Sequence, residues 1–213
     1  MSVELTLELR RQVDKGVSVL SRGGVIAFPT DTVYGLGASG RDFMAVERVY
    51  EVKERPRDMP LPLLLGAISQ IGEVAGPVSP LAWRLAEKLL PGALTLVLPK
   101  SASVLDVITA GGHTVAVRVS AHPVPLALID GLGAPLLGTS ANLSGRPSAL
   151  EAAEVYAQFG DGIDLVIDGG RCPGGLESTI VELTGELPVV LREGAIALSE
   201  LERAGGGIKF RKL

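Results

Sequence analysis

The chain has 213 residues, a formal net charge of −4, 46% hydrophobic residues and only 4% aromatic ones. That length is ample for a buried core of Val, Leu, Ile and Ala, and the acidic balance gives no charge argument for nucleic acid, so any anion site must be built locally. One cysteine (Cys172) excludes an internal disulfide or a thiolate metal cluster, and two histidines (His113, His122) are too few for a His-rich metal site, so no metal ligands are assigned.

Leu9, Val13, Val17 and Leu20 recur at helical spacing, with Gly23 as a stop. "VIAF" (25–28) reads as a buried strand. Asp42 caps a helix carrying Val46, Val49 and Tyr50 that ends before Pro56. "LPLLL" (61–65) is a strand interrupted by Pro62. Ser79-Pro80 opens a helix with Leu81, Leu85 and Leu89 on one face, closed by Pro91-Gly92. "ALTLVL" (93–98) and "VAVRV" (115–119) are strands, a short helix follows Pro125, and "PLLG" (135–138) is a brief strand. Ser148-x-x-Glu151 reads as a capping box for a helix to about Phe159. "LVID" (165–168), "STIVEL" (178–183) and "PVVLR" (188–192) are strands, the last two joined by a hairpin turn. A short helix starts at Ser199. The pattern predicts an α+β fold with a mixed sheet in one domain over 1–213. No apolar run reaches the ~18 residues of a transmembrane helix, and "MSVELTLELRRQ" has no signal-peptide pattern. A cytoplasmic protein that does not engage a membrane is expected.

"YGLGASG" contains a G-x-G-x-x-G at Gly35, Gly37 and Gly40. The dinucleotide fingerprint needs its first glycine directly after a strand. Here "PTDTVY" intervenes, and no acidic residue ends a second strand at the expected distance. There is no P-loop, H-E-x-x-H or G-x-S-x-G either. What remains is a set of polar clusters at strand ends: Thr30-Asp31-Thr32, Lys53-Glu54-Arg55, Arg118, Thr139 to Asn142, Ser178-Thr179 and Arg192. Cations and hydroxyls of this kind suit a nucleoside triphosphate. Each also has a local reading. Ser140 and Asn142 serve equally as turn residues, Lys53 and Arg55 as a solvated helix end, and Asp31 either orients a group or fixes the Pro29–Thr32 turn.

Taken in order, "PTDTVYGLG", "KERPRDMPL", "PGALTLVL", "VAVRV", "GTSANLSG" and "ESTIVEL…VVLREGAI" resemble the YrdC family from about Gly24 to Ile196. The resemblance implies a twisted mixed sheet flanked by helices with a large open cavity. It also implies an enzyme, a nucleotidyltransferase that turns L-threonine, bicarbonate and ATP into threonylcarbamoyl-AMP and pyrophosphate. ATP would enter with Mg²⁺. A partner transferase complex would pass the group to tRNA, with a direct tRNA contact left open.

By position, Lys53 and Arg55 match the pair that handles the ATP phosphates and are the expected catalytic residues. Thr32, Arg118 and Ser178 match threonine contacts, with Arg118 on the carboxylate. Ser140, Asn142, Ser148 and Arg192 match the nucleotide side, and Thr114 is a further nucleotide candidate. Lys53 and Arg55, two apart in an extended segment, are expected to point the same way. The chain departs from the pattern at Met59 and Leu64, where some relatives carry Asn and His, which bears on substrate affinity. Its end at Leu213 suggests the family's short form. A carbamoyl-transfer module is disfavoured because no acylphosphatase-like or zinc-finger extension is present. A paralogue that binds nucleotide or RNA without making the adenylate is the competing reading.

Overall fold

The computed structural model describes residues 5–212; residues 1–4 of the N-terminal stretch read above, and Leu213, lie outside the described residues. In chain order the elements are α1 (Leu7–Leu20), β1 (Ile26–Phe28), β2 (Gly35–Gly37), α2 (Phe43–Lys53), β3 (Leu63–Leu64), α3 (Ile71–Val74), α4 (Pro80–Leu89), β4 (Leu94–Pro99), β5 (Thr114–Arg118), α5 (Pro123–Leu132), β6 (Leu136–Leu137), β7 (Thr139–Ser140), α6 (Ala152–Phe159), β8 (Leu165–Val166), β9 (Thr179–Glu182), β10 (Val189–Arg192), α7 (Leu198–Ala204) and β11 (Arg211–Lys212).

Several boundaries follow from caps. Asp42 accepts from Ala45 N–H at 3.1 Å and Ser79 from Ala82 N–H at 3.2 Å, each satisfying an orphan donor of a first turn. The helix expected after Pro125 starts two residues earlier, at Pro123, because His122 Nδ1 accepts from Val124 N–H. The capping box at Ser148-x-x-Glu151 does not form. Glu154 instead accepts from Leu150 N–H at 2.6 Å ahead of α6, and the Ser148 hydroxyl donates to Glu177, 29 residues away.

Two mixed sheets result, in the orders β7-β2-β1-β8 and β11-β10-β9-β4-β5-β3-β6. An isolated bridge between Ser39 and Leu136 joins them. Antiparallel pairs (β4 with β5, β9 with β10) alternate with parallel ones (β4 with β9, β3 with β5). Strand β2 has no counterpart among the elements expected from sequence. It pairs antiparallel with β1, Ile26 opposite Gly37 and Phe28 opposite Gly35. A Cβ on Gly37 would collide with the Leu137 carbonyl oxygen, and one on Gly35 would lie 2.8 Å from the Phe28 ring. The glycine run is therefore a strand that neighbours crowd from both sides, not a strand-to-helix phosphate turn.

The period-2 pattern decides which face of the larger sheet is core. Leu94, Leu96 and Leu98 of β4, Val115 and Val117 of β5 and Val181 of β9 lie in one apolar cluster with Tyr50, Leu85 and Val49 from α2 and α4. A second cluster, with Leu20, Ile26, Phe28, Val124 and Leu128, lies where α1 and α5 meet β1. The alternate residues Thr95, Val97, Ala116, Arg118 and Ile180 face the other way, into an open cavity.

Candidate functional site

The cavity holds ≈ 610 Å³, within the range of small-molecule sites. Its floor is the outward face of β3, β5, β4 and β9. Its walls come from the Thr30–Gly35 turn, the Arg55–Pro60 segment and the loop from Gly138 to Gly145. Thr32, Lys53, Arg55, Arg118, Ser140, Asn142, Ser178 and Arg192 all line it, so eight of the ten residues expected from sequence come together.

Arg118 rises from the floor as the valine alternation requires. It is only 8% exposed, and three of its donors are already committed. Nε donates to Gly92 O at 3.0 Å, Nη1 to Thr32 Oγ1 at 3.1 Å and Nη2 to Asp31 Oδ1 at 2.7 Å. Ser120 Oγ donates to the same Asp31 oxygen. Asp31 thus does more than fix its turn: it orients Arg118. Thr32 is itself fixed by its contact with Thr30 Oγ1 at 3.0 Å.

Lys53 and Arg55 are not in an extended segment. Lys53 is the last residue of α2, and Glu54 turns the chain in the left-handed region at φ 52°. Lys53 is 2% exposed. Its ammonium donates to Ser140 O, Asn142 O and Asn142 Oδ1 at 2.5, 2.8 and 3.1 Å, which uses all three protons. Burial pushes its pKa down to about 8, with the Arg55 charge adding and Glu177 opposing. Asn142 is held further, its amide donating to Leu143 O and Arg146 O. Arg55 is half-buried, and its Nε and Nη2 donate to Met59 O and Pro60 O at 3.1 and 2.9 Å. Both cations thus shape the cavity wall as well as charging it.

Glu177 is the principal residue that sequence reasoning missed. Its carboxylate lines the cavity and accepts from Ser148 Oγ at 2.6 Å and from Arg192 Nη1. Burial raises its pKa, but Ser148, Arg192, Ser140 and Lys53 together bring it below the usual carboxylate value. Arg192 also clasps the Ser178 carbonyl through Nε and Nη2 at 3.2 and 2.8 Å. The only signal in the sequence is position, next to the Ser178-Thr179 pair singled out above.

Two expected residues do not line the cavity. Ser148 reaches it only through Glu177. Thr114 lies four residues before Arg118 on β5, roughly 13 Å along an extended strand. Met59 sits on the rim and Leu64 on the floor, so both departures from the family pattern face the cavity. Among the described residues, no group of three or more His, Cys, Asp or Glu is placed to hold a metal ion, and no helix is long and apolar enough to cross a membrane.

A family model for Sua5/YciO/YrdC, described as "Telomere recombination", matches residues 18–194. The chain belongs to the Sua5/YciO/YrdC family. Its relatives include the threonylcarbamoyl-AMP synthases of Pyrococcus abyssi, 45% identical over 191 residues, and of Bacillus subtilis, 41% identical over 214 residues. The alignments cover 90% and 99% of this chain but only 56% and 62% of those proteins. A crystal structure of P. abyssi Sua5 complexed with L-threonine superposes with a TM-score of 0.92 at 42% identity, covering 98% of this chain and 60% of that one. The α+β architecture expected from sequence is that of its Sua5 relatives. The family's glycine segment is here β2 and its flanks, which answers why the G-x-G-x-x-G lacked the context of a dinucleotide site.

Proposed function

We infer that the protein is an L-threonylcarbamoyladenylate synthase, using L-threonine, bicarbonate and ATP and releasing pyrophosphate. The observation that carries this reading is the convergence, on one ≈ 610 Å³ cavity, of a floor arginine with Thr32 and Ser178 at one side and the Lys53-tied Ser140–Asn142 loop at the other. Such a cavity has room for an amino acid beside a nucleotide. The threonine bound to the P. abyssi relative supports the amino-acid half.

In the first step the threonine amine attacks the carbon of bicarbonate, giving a carbamate and water. In the second a carbamate oxygen attacks the α-phosphorus of ATP and expels pyrophosphate. Neither step needs a protein nucleophile, so positioning and charge supply the acceleration. Arg118, held by Asp31 and Gly92, would take the threonine carboxylate together with Thr32. Arg55 would meet the phosphates directly. Lys53 would act by holding the Ser140–Asn142 loop against them, and Arg192 from beside Ser178. The sheet floor would shield a labile mixed anhydride from water. Mg²⁺ would arrive on the triphosphate and keep mainly phosphate and water ligands. The product would pass in the cytoplasm to a transferase complex that modifies tRNA.

Incubating the protein with labelled threonine, bicarbonate and MgATP tests this. Pyrophosphate and an AMP-linked threonine are expected only when all three are present. Pyrophosphate release at an equal rate without bicarbonate would make the enzyme an ordinary amino-acid adenylase. Nucleotide binding with no release under any condition would leave the non-catalytic paralogue.

A further inference from the structure

Arg118 ends β5 and Pro123 begins α5, so only Val119 to His122 separate the cavity-floor guanidinium from a helix N-terminus. Two side chains tie this connection. Ser120 is 1% exposed. Its Oγ accepts from His122 N–H at 3.2 Å and donates to Asp31 Oδ1, the oxygen that Arg118 Nη2 also holds. His122 closes the series: its Nδ1 accepts from Val124 N–H at 3.2 Å and so satisfies a first-turn donor of α5. Contacts therefore run without a break from Val124 through His122, Ser120 and Asp31 to Arg118.

Ser, Thr, Asp or Asn would cap this helix without titrating near neutrality; histidine alone changes charge there. To accept at Nδ1 the ring must be neutral, with its proton on Nε2, because the imidazolium has two donors and no acceptor. A proton on Nδ1 would face the Val124 N–H donor to donor and turn the ring out of the cap. Among the described residues Nε2 has no hydrogen-bond partner, and no buried side-chain nitrogen lacks one, so solvent reaches Nε2. Burial lowers the His122 pKa from 6.5, against the opposing pull of Asp31. Other neighbours add little charge. Helix α1 meets α5 at Gly16 and Val17, with Glu8, Arg10, Arg11, Asp14 and Lys15 exposed. Strand β6 offers Leu136 and Leu137. Asp130, the one charged residue of α5, is exposed about two turns on. Cys172, near Asp31, stays a thiol because burial raises its pKa.

We propose that His122 is a positioning residue for the threonine site, its neutral ring capping α5 and thereby holding Ser120, Asp31 and Arg118 in register, so that protonating the ring loosens the grip on the threonine carboxylate. This rests on the synthase reading above. The unfolded chain takes up the proton first, so the capped state is complete above pH 6.5 and is lost as pH falls through the lower folded value.

Threonine is titrated alone, because bicarbonate and the ATP γ-phosphate take up protons in the same range. Its own carboxylate keeps its charge throughout. The wild type should bind threonine about fivefold more weakly at about pH 5 than at about pH 7, roughly the worth of one N-cap read as affinity. His122→Ala should bind threonine weakly at both pH values, while its ATP affinity at about pH 7 stays within about twofold of wild type. His122→Asn keeps a capping acceptor that does not titrate; it should restore the neutral affinity and hold it in acid. Melting temperatures are compared alongside, and if the alanine variant does not fold, the asparagine variant is sufficient. An asparagine variant that loses threonine in acid as the wild type does overturns the proposal, as does a wild type whose affinity ignores pH. So does an ATP affinity in His122→Ala that falls as far as the threonine affinity, which would make His122 a fold element only. A wild type that binds no threonine at either pH instead overturns the synthase reading, and the role of His122 with it.

Discussion

Arg118 Nη2 donates to Asp31 Oδ1 at 2.7 Å, with the two side chains only 9% and 17% exposed. The aspartate fixes the plane of the guanidinium and the Ser120 hydroxyl fixes the aspartate, leaving two N–H groups of Nη1 and Nη2 to give. Lysine keeps the charge but loses the planar fork and the bonds to Gly92 and Thr32. Arg118→Lys is expected to weaken threonine binding at least tenfold, or about 1.4 kcal/mol, with a smaller effect on ATP alone. Titrating threonine into both forms at saturating ATP measures this; equal affinities would put the carboxylate elsewhere.

Arg55→Ala reports on both wall and ligand. A free surface arginine would cost almost nothing to remove, but this one is bonded to two carbonyls of its own rim. The expected loss is about 1–3 kcal/mol of stability. A direct phosphate contact adds roughly 1.5–3 kcal/mol of lost ATP binding, as for hydrogen bonds to charged groups. Denaturant midpoints and ATP titration separate the two. A lowered midpoint with unchanged affinity would leave Arg55 as wall alone.

The Glu177 carboxyl titrates below the ordinary 4.5 in the folded chain. The unfolded chain therefore binds the proton first as pH falls. Its contribution to stability is complete above pH 4.5 and is lost as pH drops through the depressed folded value. Glu177→Gln should lower the melting temperature at neutral pH, and the gap to wild type should shrink steadily in acid. A gap that persists undiminished at the lowest pH at which both remain folded would show that the carboxylate charge is not what Ser148 and Arg192 need.

Two glycines make opposite predictions. Gly37→Ala drives a methyl into the Leu137 carbonyl, and both lie in strands that cannot easily part. A loss of about 3 kcal/mol or more is expected, at the top of the overpacking range. At Gly72, inside α3, an added methyl would meet nothing within 4 Å, and φ is not positive. Gly72→Ala should add about 0.4–1 kcal/mol. Urea unfolding of the pair checks both, and a neutral Gly37→Ala would mean that β2 and β6 are not packed this closely.

The elements that announce themselves in the sequence are those with side chains in a clean period. The valines of β5 and the leucines of β4 give both strand and face, and from them the inward direction of Arg118. Strand β2 is illegible because Gly35 and Gly37 have no side chains to alternate, and the strand exists because its neighbours leave room for nothing larger. Ser148 has the spacing of a cap, but Glu177 holds its hydroxyl, and no local pattern foretells a partner 29 residues away. Lys53 and Arg55 are legible as cavity residues. Their conformation is not, since it depends on a left-handed Glu54 that ends α2 one residue after a buried lysine.

The Lys53 fastening also sets what in the site can move. One ammonium rivets the end of α2 to the backbone at Ser140 and Asn142, so helix and loop form a single stiff jamb. By contrast, Gly170, Gly174 and Gly175, none of which lines the cavity, all adopt positive φ, in a stretch where Gly174 N–H to Thr32 O and Cys172 N–H to Leu150 O are the backbone ties. Hydrogen exchange should find the amides around Ser140–Asn142 opening together with the last turn of α2, and those of 170–175 opening earlier and alone.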